Sequence, residues 1–125
     1  MSEKKNIIKE KSFSFALRIV KLCKVLQERK EFVISKQLMR SGTAVGALVR
    51  EAEHAESKAD FIHKMAIAQK EVNETAYWLE LLFQSEFINE KEFVSIIQDQ
   101  EDISKILASI ILTSKGVKRM VNGEW

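Results

Sequence analysis

Glu51 and His54 stand three residues apart, the Glu-x-x-His half-motif by which helical bundles hold di-iron or di-manganese centres, and Glu71 and Glu74 repeat that spacing further along the chain. Such a centre takes two Glu-x-x-His pairs and two further glutamates, all projecting inward. This chain has one pair, and its other histidine, His63, stands alone. Both histidines therefore read as solvent-facing or end-of-helix residues, and neither a metal nor another cofactor is expected. The single cysteine, Cys23, lies on an apolar stripe, where a thiol packs as a small hydrophobe and stays inert. A glycine-rich phosphate loop, a Gly-x-Ser-x-Gly elbow and a Cys-x-x-Cys pair are all missing. No catalytic residue emerges, so the expectation is a binding protein without enzyme activity or a small-molecule substrate.

Cations are the other chemical resource. Net charge is only +2, yet residues 1–31 carry nine Lys/Arg against four Asp/Glu, whereas residues 85–125 carry five against seven. Lys4, Lys5, Lys9 and Lys11 at one end of the sequence, and Lys115, Lys118 and Arg119 at the other, are candidate nucleic-acid contacts. They form either a solvated surface or an anion-binding one. Lysines supply charge without reading bases, so binding through them would be sequence-independent and salt-sensitive. Glu71, Asn73 and Glu74 beside Tyr77 and Trp78 are either a recognition patch or an ordinary exposed face.

The elements that must position these residues are helices. There is no proline in 125 residues, so nothing removes an internal amide donor or forces a kink. The periodicity predicts helices over roughly 12–28, 36–56, 58–85 and 90–120. The first carries two adjoining stripes, Phe15, Ile19, Leu22, Leu26 and Phe13, Ala16, Val20, Cys23, and Ser35 is the expected N-cap of the second. Ser57 with Asp60, and Asn89 with Glu92, read as capping boxes opening the third and fourth. The third helix has a heptad-like seam, Phe61, Met65, Ala68, Val72, Thr75, Leu79 and Leu82; the fourth has Phe93, Ile96, Gln100, Ile103, Leu107, Ile110, Ser114, Val117 and Val121. Gly116 could end the fourth early. Ser41, Gly42, Ala44, Gly46 and Ala47 concentrate small residues in the second helix, where each glycine costs roughly 1 kcal/mol against alanine. Close approach of neighbouring backbones, inside the bundle or between copies, is the expected compensation. Four helices with short connections predict one all-α domain over 1–125, an antiparallel up-down-up-down four-helix bundle. That topology collects the terminal lysines with Arg50 and Lys58 at one end. No apolar run reaches a membrane span and the start, two isoleucines among lysines and glutamates, lacks the apolar region of a signal peptide, so a soluble, cytoplasmic protein is expected.

Several stretches carry a family resemblance: Phe15-Ala16-Leu17-Arg18-Ile19-Val20-Lys21-Leu22, Ser35-Lys36-Gln37-Leu38-Met39-Arg40-Ser41-Gly42-Thr43, Ser57-Lys58-Ala59-Asp60-Phe61, and Glu74-Thr75 with Tyr77-Trp78-Leu79. Over about residues 6–88 the chain resembles the four-helix bundle family of bacterial 23S rRNA intervening-sequence proteins. It is less specifically similar to the accessory variability proteins of diversity-generating retroelements. The resemblance implies a homopentamer with a central channel, and basic surfaces that in the retroelement branch bind nucleic acid and a reverse transcriptase. It also marks Arg40, Glu51, Asp60, Lys70, Glu71 and Glu74 as polar positions of structural or interface use, none of them catalytic. Ala44 and Leu48 replace a serine and an asparagine customary in the family, which removes any hydrogen bond or shared ligand contact those side chains make there. The leading expectation is thus an oligomeric scaffold that binds structured RNA, or a protein that handles nucleic acid, through its basic end. The alternatives are a protein-interaction adaptor anchored by Tyr77, Trp78 or Trp125, and, third, a metal-dependent bundle enzyme.

Overall fold

The computed structural model describes residues 3–116, the side chains of Lys4 and Lys5 excepted. Among these residues the chain forms four helices and no strand: α1 Glu3–Glu28, α2 Val33–Ala52, α3 Lys58–Gln84 and α4 Glu90–Ser114. The short turns make each helix antiparallel to the one before it. α1 packs on α2 and α4, α3 packs on α2 and α4, and the diagonal pairs do not meet. The architecture is the expected antiparallel four-helix bundle.

One apolar cluster fills the interior. In α3 the buried positions Met65, Ala68, Val72, Thr75, Leu79 and Leu82 follow the expected seam, with Phe61 half-buried at its start. In α4 they are Ile96, Gln100, Ile103, Leu107, Ile110 and Ile111. α1 departs from the expected pattern. Its helix begins at Glu3, well before Ser12, because Ile8 is fully buried one seam step earlier. The true seam, Ile8, Ser12, Phe15, Ile19, Cys23 and Leu26, draws on both expected stripes, and Phe13 is left 49% exposed. Burying a large aliphatic or aromatic side chain is worth roughly 1.5–3 kcal/mol, while an exposed ion pair contributes about 0–1 kcal/mol. With 20 hydrophobic residues buried, the core outweighs the surface ion pairs as the source of stability.

Helix ends supply the remaining corrections. α2 starts at Val33, not at Lys36, and Ser35 does not cap it. The buried carboxylate of Glu31 does so instead, accepting from the amides of Val33 (3.2 Å), Ile34 (2.9 Å) and Ser35 (2.6 Å). α2 stops at Ala52, earlier than the expected 56, because Ser57 already opens α3: its hydroxyl accepts from the Asp60 amide at 3.0 Å. Asp60 reaches back past the Ser57 amide, which an ordinary capping box would use, to the amide of Glu56 (3.1 Å). The Asn89–Glu92 box at the start of α4 is complete. α4 ends at Ser114, short of the expected 120, where Gly116 takes a positive φ of 76° and returns its amide to the Thr113 carbonyl. Val117, Lys118, Arg119, Val121 and Trp125 lie outside the described residues. α1 closes with the Lys30 and Glu31 amides on the Gln27 and Leu26 carbonyls, and α3 with the Glu86 and Phe87 amides on those of Phe83 and Leu82, but Lys30 and Glu86 hold the left-handed position, each at φ 66°, that glycine usually fills.

Candidate nucleic-acid interface

The buried polar side chains are committed to hydrogen bonds within and between the helices. Ser12 donates to the Lys9 carbonyl, Ser35 to the Glu31 carbonyl, and Gln100 crosses from α4 to the Val72 carbonyl of α3. Thr75 donates to Ser41 at 2.9 Å, tying α3 to α2. Cys23 is 1% exposed and donates to the Ser35 carbonyl at 3.3 Å. Burial, and secondarily the nearby Glu31 carboxylate, push its thiol up to about 11, so it stays protonated at neutral pH and is no nucleophile.

The residues singled out by sequence fall into two groups. Glu51 is exposed and drawn to Lys64 of α3 (3.3 Å), and His54 lies beyond the end of α2, so the Glu-x-x-His spacing does not put the pair on one helical face. Among the described residues no group of three or more His, Cys, Asp or Glu is placed to hold a metal ion. Arg40, Glu71 and Glu74 come together: the Arg40 guanidinium of α2 bridges Glu71 at 2.7 Å and also Glu74 on α3. Glu74 accepts from the Trp78 indole at 2.9 Å as well, and this bond first, Arg40 second, holds its carboxyl below the usual range. Trp78 is thus part of a structural clamp, whereas Tyr77 is 59% exposed. Asp60 serves the α3 cap and Lys70 is exposed.

The small residues of α2 divide by direction. A side chain on Gly42 would meet Ile19 Cγ1 of α1 at 2.7 Å, and one on Gly46 would reach the Ser12 carbonyl oxygen at 3.4 Å. Ser41, Gly42 and Gly46 therefore serve packing within the bundle. Ala44 is half-buried, and Ala47 is exposed.

Cations are arranged by layer. The run from α1 through α2, residues 3–52, carries twelve Lys/Arg and five Asp/Glu; the run from α3 through α4, residues 58–114, carries five and ten. Because α1 lies beside α2 and α3 beside α4, one side of the bundle is basic by seven charges and the other acidic by five. Of the expected basic end, Lys9 is engaged by Glu53 (3.2 Å), Arg50 stacks over the Phe13 ring at 5.1 Å, and Lys11 borders a hollow shared with Asp99 and Asp102. Lys58 and Lys115 are exposed. Arg18 and Arg29 are tied down as well. Arg18 binds Asp99 and Ser95 of α4, and Arg29 grips Glu92 with both terminal nitrogens while donating to the Phe87 carbonyl. Lys21, Lys24, Lys30 and Lys36 gather at the opposite end, around the α1–α2 turn. All four are exposed, and no ammonium among them pairs with a described residue. Nothing in the charge count alone distinguished these lysines from the terminal ones, since pairing depends on what α3 and α4 bring alongside.

An open hollow of about 490 Å³ lies at the terminal end, lined by Val49, Ala52, Glu53, Phe61 and Met65. No described helix is long and apolar enough to cross a membrane.

Fold and surface together define a helical bundle with an interior given over to packing and its charge sorted by layer. The chain belongs to the family of 23S rRNA-intervening sequence proteins, whose model matches residues 4–109. It is similar to a crystal structure of a protein with unknown function from the S23 ribosomal protein family of Bacteroides thetaiotaomicron. The two share 56% identity over 86% of this chain and 97% of that one, with a TM-score of 0.85. No curated protein matches the chain. Neither the family's description nor that of the solved relative assigns a catalytic activity.

Proposed function

We propose that this protein is a non-catalytic scaffold that assembles with copies of itself and engages structured RNA through its basic α1–α2 layer. The observation that carries this reading is the segregation of charge: twelve cations against five acids on one helix pair, on a chain with a net charge of only +2. A one-sided field of this kind attracts a polyanion that the net charge alone would not. The family's description as 23S rRNA-intervening sequence proteins points the same way. Repetition in a homo-oligomer would multiply the field and add avidity. Exposed apolar residues on diagonal helices support self-association: Phe13 and Leu17 on α1, Tyr77 and Leu81 on α3. Two unlike patches on opposite sides suit head-to-tail contact, which closes into a ring when the rotation allows.

Titration of a labelled stem-loop RNA at about 50 and 200 mM salt tests the reading. With roughly four phosphate contacts, affinity should fall about a hundredfold between the two conditions. Absence of binding at low salt would remove the RNA role. Tyr77 favours a second reading, an adaptor for other proteins, because it is a 59% exposed aromatic of the type that anchors interfaces. Partners that survive nuclease treatment in a pull-down, and are lost with Tyr77→Ala, would favour the adaptor.

A further inference from the structure

The α1–α2 turn presents an aromatic ring that its own fold does not use. Phe32 occupies the N-cap position of α2, where Ser, Thr, Asp or Asn ordinarily supplies an oxygen to the first amides. Glu31 does that work from the preceding position, and Phe32 is left 58% exposed, with Val33 beside it at 77%. The turn beneath them is fixed. Arg29 locks it to the α3–α4 turn through Glu92 and the Phe87 carbonyl, the Glu31 amide returns to the Leu26 carbonyl at 2.8 Å, and Cys23 holds the Ser35 carbonyl from below.

Around this platform stand the unpaired lysines. Lys30 precedes Phe32 by two residues and Lys36 follows it by four, about 6 Å along the helix at ~1.5 Å per residue. Ile19 sits against Gly42 and Ser12 against Gly46, and this antiparallel register carries Lys24 to the level of Lys36 on the neighbouring helix. Exposed acids share this end, Glu28 on α1 and Glu86 in the hollow beside Arg29, whereas Glu31 is buried in the cap. Cations flanking an exposed ring on a rigid base match the needs of a single-stranded RNA segment: phosphates take the charge, and an unstacked base takes the ring face.

We propose that the α1–α2 turn is a binding site for an unpaired loop of RNA, in which Phe32 stacks on a base and Lys24, Lys30 and Lys36 hold the flanking phosphates. The proposal rests on the RNA reading above and locates it away from the terminal lysines. The RNA reading favours a nucleic acid here over an acidic protein segment, which the same lysines and ring would also serve, and the polyglutamate competition below separates the two.

Binding of a stem-loop RNA and of a fully paired duplex of the same length is measured for the full chain and for three variants. Phe32→Ala should weaken stem-loop binding by about 5- to 150-fold, the range of one base–aromatic stack, without altering the salt slope or duplex binding. Phe32→Trp should restore it. The triple variant Lys24→Ala, Lys30→Ala, Lys36→Ala should lower the slope of log affinity against log salt by about 2–3. Helix content and sedimentation mass of each variant are compared with wild type. If wild-type protein binds no RNA, the function reading fails together with this site. If it binds, but responds only to Lys4→Ala, Lys5→Ala, Lys9→Ala and Lys11→Ala, the function stands and this site is overturned. A fall in assembled mass with Phe32→Ala, or competition by polyglutamate as strong as by RNA, would also overturn it, by making the patch a contact between copies or an acidic-partner surface.

Discussion

Gly42 and Gly46 sit one helical turn apart on the face α2 turns to α1, yet a methyl group added to each should act in opposite directions. At Gly42 the new carbon would fall 2.7 Å from Cγ1 and 2.9 Å from Cγ2 of Ile19, atoms on a β-branched centre that cannot swing away. Overpacking of this kind costs about 1–3 kcal/mol, which exceeds the ~1 kcal/mol that alanine gains over glycine in a helix interior. Gly42→Ala should therefore destabilise by about 1–2 kcal/mol, and Ile19→Val should recover part of the loss. At Gly46 the nearest atom, the Ser12 carbonyl oxygen, is at 3.4 Å, an ordinary contact. Gly46→Ala should be neutral or stabilising by up to ~1 kcal/mol. Denaturant midpoints of the three variants check the signs. The run of small residues was visible in the sequence as a demand for close approach, but only the positions of Ile19 and Ser12 show that α1 makes that approach at Gly42 and Gly46.

At the scale of the element, the turn between α1 and α2 depends on a residue that lies outside the helix it stabilises. Glu31 accepts from three successive amides of α2 while 94% buried, since only 6% of it is exposed. Glu31→Ala leaves those donors without their acceptor and should cost about 2 kcal/mol, at the upper end for a lost cap. Glu31→Gln, which keeps one acceptor oxygen, should cost less. Ser35→Ala should have a smaller effect than either, because its hydroxyl donates only to the Glu31 carbonyl. Thermal midpoints of the three, ranked, check the assignment. Ser57 and the Asn89–Glu92 pair were legible because they obey the usual spacing from cap to third residue. Glu31 was not, because its carboxylate works from before the N-cap position and a phenylalanine occupies the cap itself. Lys30 and Glu86 were equally hidden, since left-handed helix ends are read from glycine and neither is one.

Across the whole molecule, ion pairs stitch the basic layer to the acidic one: Arg18 to Asp99, Arg29 to Glu92, and Arg40 to Glu71 and Glu74. Two of these carboxylates titrate below their ordinary range. Glu92 is lowered by its Arg29 hydrogen bond first and by the Asn89 amide second, Glu74 by Trp78 and then Arg40. A carboxyl depressed in the folded state contributes stability that is complete above its unfolded value near 4.3 and is lost as pH falls through the lower folded value. The thermal midpoint should accordingly hold steady from neutrality to about pH 5 and decline below about pH 4. Glu92→Gln should flatten that acid limb, with a loss at neutral pH of roughly 0.2–1 kcal/mol, as befits a partly exposed pair. A midpoint that falls equally steeply in Glu92→Gln and wild type would show that other groups govern the acid limb.

The sequence by itself determined that the chain is helical, the seams of α3 and α4, two of the three inter-helix caps and the family, because helical periodicity and capping are local properties that a few neighbouring residues decide. The tertiary structure alone decided where α1 begins, which members of its two stripes face inward, and that Glu31 closes α2. It also decided which cations are neutralised and which are free. Pairing is a relation between helices: Arg18, Arg29 and Arg40 find carboxylates on α3 and α4, while Lys21, Lys24, Lys30 and Lys36 pair with none of the described residues, and no count along the chain separates the two sets.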